Sequence, residues 1–293
     1  MKKASCHSIV LSGLIIILAV IGAGMGVFWR DEGQKAEFHT LRGETVTIQG
    51  HGLYKYETVS IAAQAAAQDA VTLLVGIPLL FVSMLLFKKG NLRGKLLLAG
   101  TLAYFLYTYA SFAFGAAYNI LFLVYVSLFS LSLFAFILTI MEIDISTLPD
   151  HFSSGLPRRT ISSFLFLVGV FLSLAWLGRI IPALMANKPP LGLESYTTLI
   201  IQALDLGVVV PLAFLAGILL WKQNAWGYLL SSIVLIKGIT LALAVSAMAV
   251  NMIMAGVQVS IGELIMFPTI ALVSTGLTAV LLKNVNVSNV SGD

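Results

Sequence analysis

The sequence predicts an all-α membrane protein: eight transmembrane helices as two parallel four-helix repeats, with a short extracytoplasmic β-hairpin-like loop. Three observations predict it. Hydrophobic residues make up 59% of the chain and charged residues 10%, against about 25% charged in a soluble domain. Apolar runs of about 18 residues or more recur, each long enough to cross about 30 Å of hydrocarbon. Finally, Pro78–Tyr104 (PLLFVSMLLFKKGNLRGKLLLAGTLAY) returns without a gap as Pro211–Lys237 (PLAFLAGILLWKQNAWGYLLSSIVLIK).

Ten of these 27 positions are identical, where composition alone would give roughly three. Pro78/Pro211, Lys89/Lys222, Asn91/Asn224 and Gly94/Gly227 carry the match, because these residue types are scarce in apolar runs. Upstream, GLYKYETVSI from Gly52 matches GLESYTTLII from Gly192 as G-L-x-x-Y-x-T. The two blocks differ in spacing by seven residues, about two helical turns, so the insertion nearly preserves the helix face.

In order, the predicted spans are Ser8–Trp29, Asp69–Phe87, Leu96–Ala116, Ile120–Ile140, Ile161–Met185, Thr197–Trp221, Tyr228–Val250 and Val259–Leu282. The first is read as a retained span, since its apolar core exceeds a usual signal-peptide length. Arg30–Gln68 is the one long polar segment. Glu44–Ser60, rich in Thr, Val, Ile and Tyr around Gly50-His51-Gly52, suggests a hairpin. Ile61–Gln68 is a good helix former that leads into the second span. Lys88–Lys95 (KKGNLRGK) is the clearest orientation signal and is expected to be cytoplasmic. Residues 1–140 then form the first repeat, 141–159 a cytoplasmic linker and 160–293 the second repeat. Lysine and arginine placement puts both termini on the cytoplasmic side of the membrane. The tail sequons Asn286-Val-Ser288 and Asn289-Val-Ser291 would lie inside and carry no meaning. Four spans per repeat send both halves into the bilayer in one direction, so the axis relating them runs along the membrane normal.

The net charge of +4 sets orientation from helix ends and is no nucleic-acid signal. One cysteine, Cys6, excludes an internal disulfide or a CxxC site. The four histidines lie outside the spans without ligand spacing, so no metal or cofactor is expected. HExxH, CxxC, GxSxG and Walker motifs are missing, so catalysis has no signature. Glu142, Asp144 and Asp150 read as a solvated acidic loop rather than a metal site.

Lys237 is the ionisable side chain nearest the middle of a span. A central lysine costs about 2.5–3.5 kcal/mol on insertion scales, so it should face the interior with a partner. Asp205 and Glu263 are the candidate partners, and Thr240, Ala244 and Asn251 share its face. Thr198, Gln202 and Asp205 lie on one helix face ahead of Pro211, which should free a carbonyl near Gly207. The second span has the same plan in Gln68, Asp69, Gly76 and Pro78. The third carries the stripe Thr101, Tyr104, Thr108 and Ser111, with Tyr104 where the repeat places Lys237, and Tyr107 and Tyr109 close by. Arg179, Asp69, Asp205 and Glu263 make an outward-weighted set of charges, although Arg179 could equally snorkel to headgroups.

GLYKYETVSIAAQAAAQDAVTLLVGIPLL with FLYTYASFAFGAAYNILFLVYVSLFSLSLFA resembles a group of uncharacterised bacterial multispanning proteins. The resemblance covers roughly the first half and implies a bacterial inner-membrane setting, without an activity or site. The leading expectation is a transporter of a small solute or ion, such as a cation, with its site between the repeats at Asp205, Lys237, Glu263 and Tyr104. A membrane sensor or assembly partner using Arg30–Gln68 is the second. An enzyme acting on a lipid-like substrate, with Asp205 and Glu263 as acid and base, is the third.

Overall fold

A computed structural model describes residues 2–286 of the chain. Ser288 of the first tail sequon and the whole of the second lie outside the described residues. Among the described residues eight helices are long and apolar enough to cross a bilayer, and the chain is a multi-pass membrane protein. They are α1 Lys2–Phe28, α2 Val59–Lys88, α3 Leu92–Gly115, α4 Phe122–Met141, α5 Arg158–Met185, α6 Ile200–Trp221, α7 Ala225–Met254 and α8 Ile261–Lys283. Their connections fall at two ends. One holds the polar loop (the hairpin side), the other Lys88, Lys89 and Lys222 (the basic side).

The Pro78 and Pro211 stretches fold alike. Each follows a five-residue π-helical segment, Thr72–Gly76 in α2 and Asp205–Val209 in α6. Proline lacks an N–H and its ring crowds the carbonyl four residues back. The wider π turn absorbs both defects, closing on Ile77 N–H to Thr72 O and Val210 N–H to Asp205 O. Both stretches then run through a 12-residue α segment to an asparagine cap. Asn91 Oδ1 accepts from Arg93 N–H at 2.9 Å, and Asn224 Oδ1 from Trp226 N–H at 3.0 Å. A Cβ at Gly94 would strike the Leu86–Phe87 backbone, and one at Gly227 the Leu219–Leu220 backbone. Ahead of the π segment α2 has 13 α-helical residues and α6 has five. The shorter α6 segment lies where the matching blocks differ in spacing.

Burial separates centre from periphery. The most apolar window of α3 is 67% buried and that of α7 50%, against 17% for α5. α3 and α7 therefore pack at the centre, where a Cβ on Gly100 would stand 2.5 Å from Ile236 Cβ. α2 and α4 flank α3, and α6 and α8 flank α7. α1 packs along α4. α5 packs along α6 but hardly touches α8, which it meets through Phe171 on Phe267 with ring centroids 6.0 Å apart. Exposed Leu74, Phe134, Leu174 and Leu272 belong to the apolar belt that faces lipid.

The hairpin differs in place from the expectation. β1 Ala36–His39 pairs antiparallel with β2 Thr45–Ile48, Ala36 opposite Ile48 and His39 opposite Thr45. Gly43, at φ 85°, closes its turn and donates to Thr40 O at 3.0 Å. The Gly50-His51-Gly52 turn does double back, but Ile48 and Thr58 join it by a single bridge rather than paired strands. On the basic side, the 142–157 connector is strapped to the end of α8. Ser153 N–H donates to Asn284 O at 2.8 Å and Asn286 N–H to His151 O at 2.7 Å.

Candidate functional site

The second π segment starts at Asp205, which it turns into the bundle, leaving the side chain only 4% exposed. Both carboxylate oxygens are taken. Tyr107 Oη on α3 donates to Oδ1 at 2.7 Å, and Trp176 Nε1 on α5 donates to Oδ2 at 2.9 Å. On α7, Lys237 Nζ lies 3.9 Å from the centroid of the Tyr107 ring. The tyrosine thus holds Asp205 by its hydroxyl and Lys237 by its π face. At the other end, the Arg179 guanidinium lies 5.4 Å over Trp176 and pairs with Glu263 Oε1 at 2.5 Å. From the Glu263–Arg179 ion pair inward, rings and charges alternate: Trp176, Asp205, Tyr107, Lys237. This series crosses five helices. It runs from side chains 45% and 30% exposed, Arg179 and Glu263, to a lysine 8% exposed.

Lys237 is the unfinished end. Its ammonium has no hydrogen-bond partner among the described residues. A cation–π contact contributes about 0.5–2 kcal/mol, while removing an ion from water costs several kcal/mol. The ring alone does not offset burial. Neither expected partner reaches the lysine directly: Glu263 is held by Arg179, and Asp205 acts across Tyr107. Thr240 turns its hydroxyl back to Lys237 O at 2.9 Å, and Asn251 donates to Ala63 O on α2 at 2.7 Å.

At the matching position of the first half, Tyr104 is fully provided for. Gln68 Nε2 donates to its hydroxyl at 2.7 Å and to Thr108 Oγ1 at 3.3 Å, and Thr72 Oγ1 shares a hydrogen bond with Tyr104 Oη at 2.8 Å. A Cβ at Gly76 would lie 2.8 Å from Tyr104 Cε1, so the glycine makes room for the ring. Asp69 belongs to a different cluster. Tyr54 Oη donates to its carboxylate, and both press on α1 where Gly26 has no side chain. Thr101 and Ser111 bond to carbonyls of their own helix, Leu97 O and Thr108 O. Gln202, one turn before Asp205, is half-buried and takes no part in these hydrogen bonds among the described residues.

The two G-L-x-x-Y-x-T blocks meet on the hairpin side. Gly52 and Gly192 adopt φ 73° and 85°, and Leu53 and Leu193 are buried equally at 7%. Tyr196 Oη donates to Glu57, Thr58 Oγ1 donates to Glu194, and Ala117 N–H donates to Glu57 Oε1 at 2.7 Å. Arg42 Nη1 donates to Tyr196 O at 3.0 Å, tying in the hairpin. Burial pushes the Glu57 carboxyl above its ordinary range, with the hydrogen bonds from Tyr196 and Ala117 opposing. Burial likewise raises Glu194, against the Thr58 hydrogen bond. Tyr196 is raised by burial and then by the adjoining Glu57 charge.

Asp205, Lys237, Glu263 and Arg179 therefore fall in one series, while Tyr104 and Asp69 fall in two separate clusters. Trp176, the second anchor of Asp205, stands outside the sequence reading, as does the role of Glu57, Glu194 and Tyr196. Among the described residues no group of three or more His, Cys, Asp or Glu side chains is placed to hold a metal ion. Asp144 in the connector instead accepts from Ser146 N–H at 3.1 Å and Ser146 Oγ at 2.6 Å, which lowers its carboxyl below the usual range.

No family model, curated protein or solved structure matches this chain. The residues themselves carry the functional argument.

Proposed function

We propose that the chain is a doubled four-helix unit, residues 1–140 and 160–293 joined by the 141–159 linker. Its halves run parallel about an axis normal to the membrane. Support comes from the shared π segment, proline, asparagine cap and glycine crossing, all at one offset of 133 positions (Pro78 to Pro211). On this reading α3 and α7 are equivalent helices at the interface of the halves. The basic side is cytoplasmic, with both termini inside a bacterial inner membrane, and the hairpin side faces out.

The function these residues support best is binding and transport of a small solute or ion between the repeats, at Asp205, Tyr107 and Lys237. One observation carries it: a buried ammonium without an acceptor, beside a carboxylate whose oxygens are committed elsewhere. Intramembrane charges are expensive and tend to mark ligand or ion paths. The hairpin-side loop is engaged by its own chain through Arg42, Glu57 and Thr58, which favours this reading over a docking loop. Counterflow of labelled acetate, sodium or rubidium in proteoliposomes tests it. Wild-type protein moves at least one of them, and Asp205→Asn and Lys237→Met abolish that movement. If both variants fold and keep every wild-type flux, the site is misplaced.

A further inference from the structure

The Lys237 site also has a readable preference for its occupant. The inference rests on taking Lys237 as a ligand site, not on transport. In the first half, the residues at 72 and 104 join directly, the Thr72 and Tyr104 oxygens standing 2.8 Å apart. The residues 133 positions on are Asp205 and Lys237. There the direct bond is missing, because the Tyr107 ring lies under the ammonium and its hydroxyl draws Asp205 away. Trp176 completes the withdrawal by holding the second oxygen. Three ammonium protons are left with no acceptor among the described residues, in a residue more than nine-tenths buried. The Asp205 charge is shared between two donors, so Lys237 is the least satisfied charged group in the series.

We propose that Lys237 is the docking point for a small monocarboxylate, whose oxygens supply the acceptors that Thr72 and Gln68 supply to Tyr104 in the other half. A carboxylate fits better than a cation. A cation would have to approach an unscreened ammonium, and its obvious ligand, Asp205, has no free oxygen facing it. Lys237 lies 12 residues into α7 from Ala225, or about 18 Å along the helix. That depth favours a free solute over the carboxylate or phosphate of a lipid headgroup.

Equilibrium binding of radiolabelled acetate to the full chain in phosphatidylcholine nanodiscs tests this. Wild-type protein binds acetate saturably, and unlabelled acetate displaces it whereas acetamide does not. Lys237→Met, confirmed monodisperse and helical, binds at least about tenfold more weakly, the equivalent of one lost charge-assisted contact. Two further variants move in opposite directions. Asp205→Asn removes a competing charge and tightens acetate several-fold. Tyr107→Phe keeps the ring but frees Asp205 to reach Lys237, and weakens it. Replacing phosphatidylcholine by phosphatidylglycerol leaves binding unchanged if the site takes free solute. Loss of acetate binding in that lipid would show a headgroup in the site and overturn the assignment. So would absence of saturable binding to wild type, or equal affinity in Lys237→Met. Acetate binding without acetate counterflow would remove the transport reading and leave this one standing.

Discussion

Tyr104 and Lys237 occupy matching positions on the two central helices, and their surroundings differ in one respect that matters. The tyrosine hydroxyl is met by Gln68 and Thr72, whereas the lysine ammonium is met by an aromatic face and has no hydrogen-bond partner among the described residues. The two stretches share the π turn, the asparagine cap and the close-packed glycine. The chemistry around residue 104 is neutral and satisfied, and that around residue 237 is charged and lacks an acceptor among the described residues. Gly76 yields to the Tyr104 ring, while the position 133 further on is the buried Val209. A closed polar set holds helices together. An open one stores a deficit that a ligand can make good.

The sharpest way to break this comparison is to remove the polar atom from each side. Tyr104→Phe strands Gln68 and Thr72 without their partner, and should destabilise by about 1–3 kcal/mol. Lys237→Met deletes a buried charge that lacks an acceptor, and should leave stability unchanged or raise it by up to about 3 kcal/mol. Thermal unfolding in detergent reads both. Equal losses in the two variants would mean that the halves play the same structural part.

A smaller effect separates the clasp on the hairpin side from the buried series. The Glu57 carboxyl is raised by burial, so the folded protein binds its proton more tightly than the unfolded chain does. Stability from this group therefore grows as pH falls through the raised value toward the ordinary glutamate range, and is lost as pH rises through that window. Glu194 acts in the same direction. Glu57→Gln should flatten the slope of melting temperature against pH in that window, while Lys237→Met should leave the slope there as it is. A slope untouched by Glu57→Gln would place the titration elsewhere.

Much of the frame was legible in the residues. Eight apolar runs, the repeated P…K-x-N…G pattern and the shared G-L-x-x-Y-x-T block are one-dimensional signals. Each corresponds to a local event: a span, a π turn just ahead of a proline, an asparagine cap, a glycine at positive φ. The buried charges were legible too, because Asp205 and Lys237 stand out in leucine-rich sequence. Their partners were not. Whether Trp176 faces Asp205 depends on how α5 is rotated against α6, and tryptophan in an apolar run has no periodic mark. Tyr107 lay in view, but its position between carboxylate and ammonium depends on three helices at once. The sequence points to a later hairpin than the structure has because Thr40–Glu44, with Gly43 at positive φ, is a quieter turn signal than Gly50-His51-Gly52. The clasp between the two Gly-Leu blocks is a long-range contact that neither block encodes separately.

The central claim is that Asp205 and Lys237 answer one another across Tyr107, inside the protein and away from lipid. A double-mutant cycle of Asp205→Asn and Lys237→Met, read by thermal or denaturant unfolding, tests it most directly. The account predicts a coupling of about 1–3 kcal/mol, with Asp205→Asn harmful when the lysine is present and nearly silent when it is gone. Additivity within about 0.5 kcal/mol would contradict it, since two side chains that ignore each other cannot form one site.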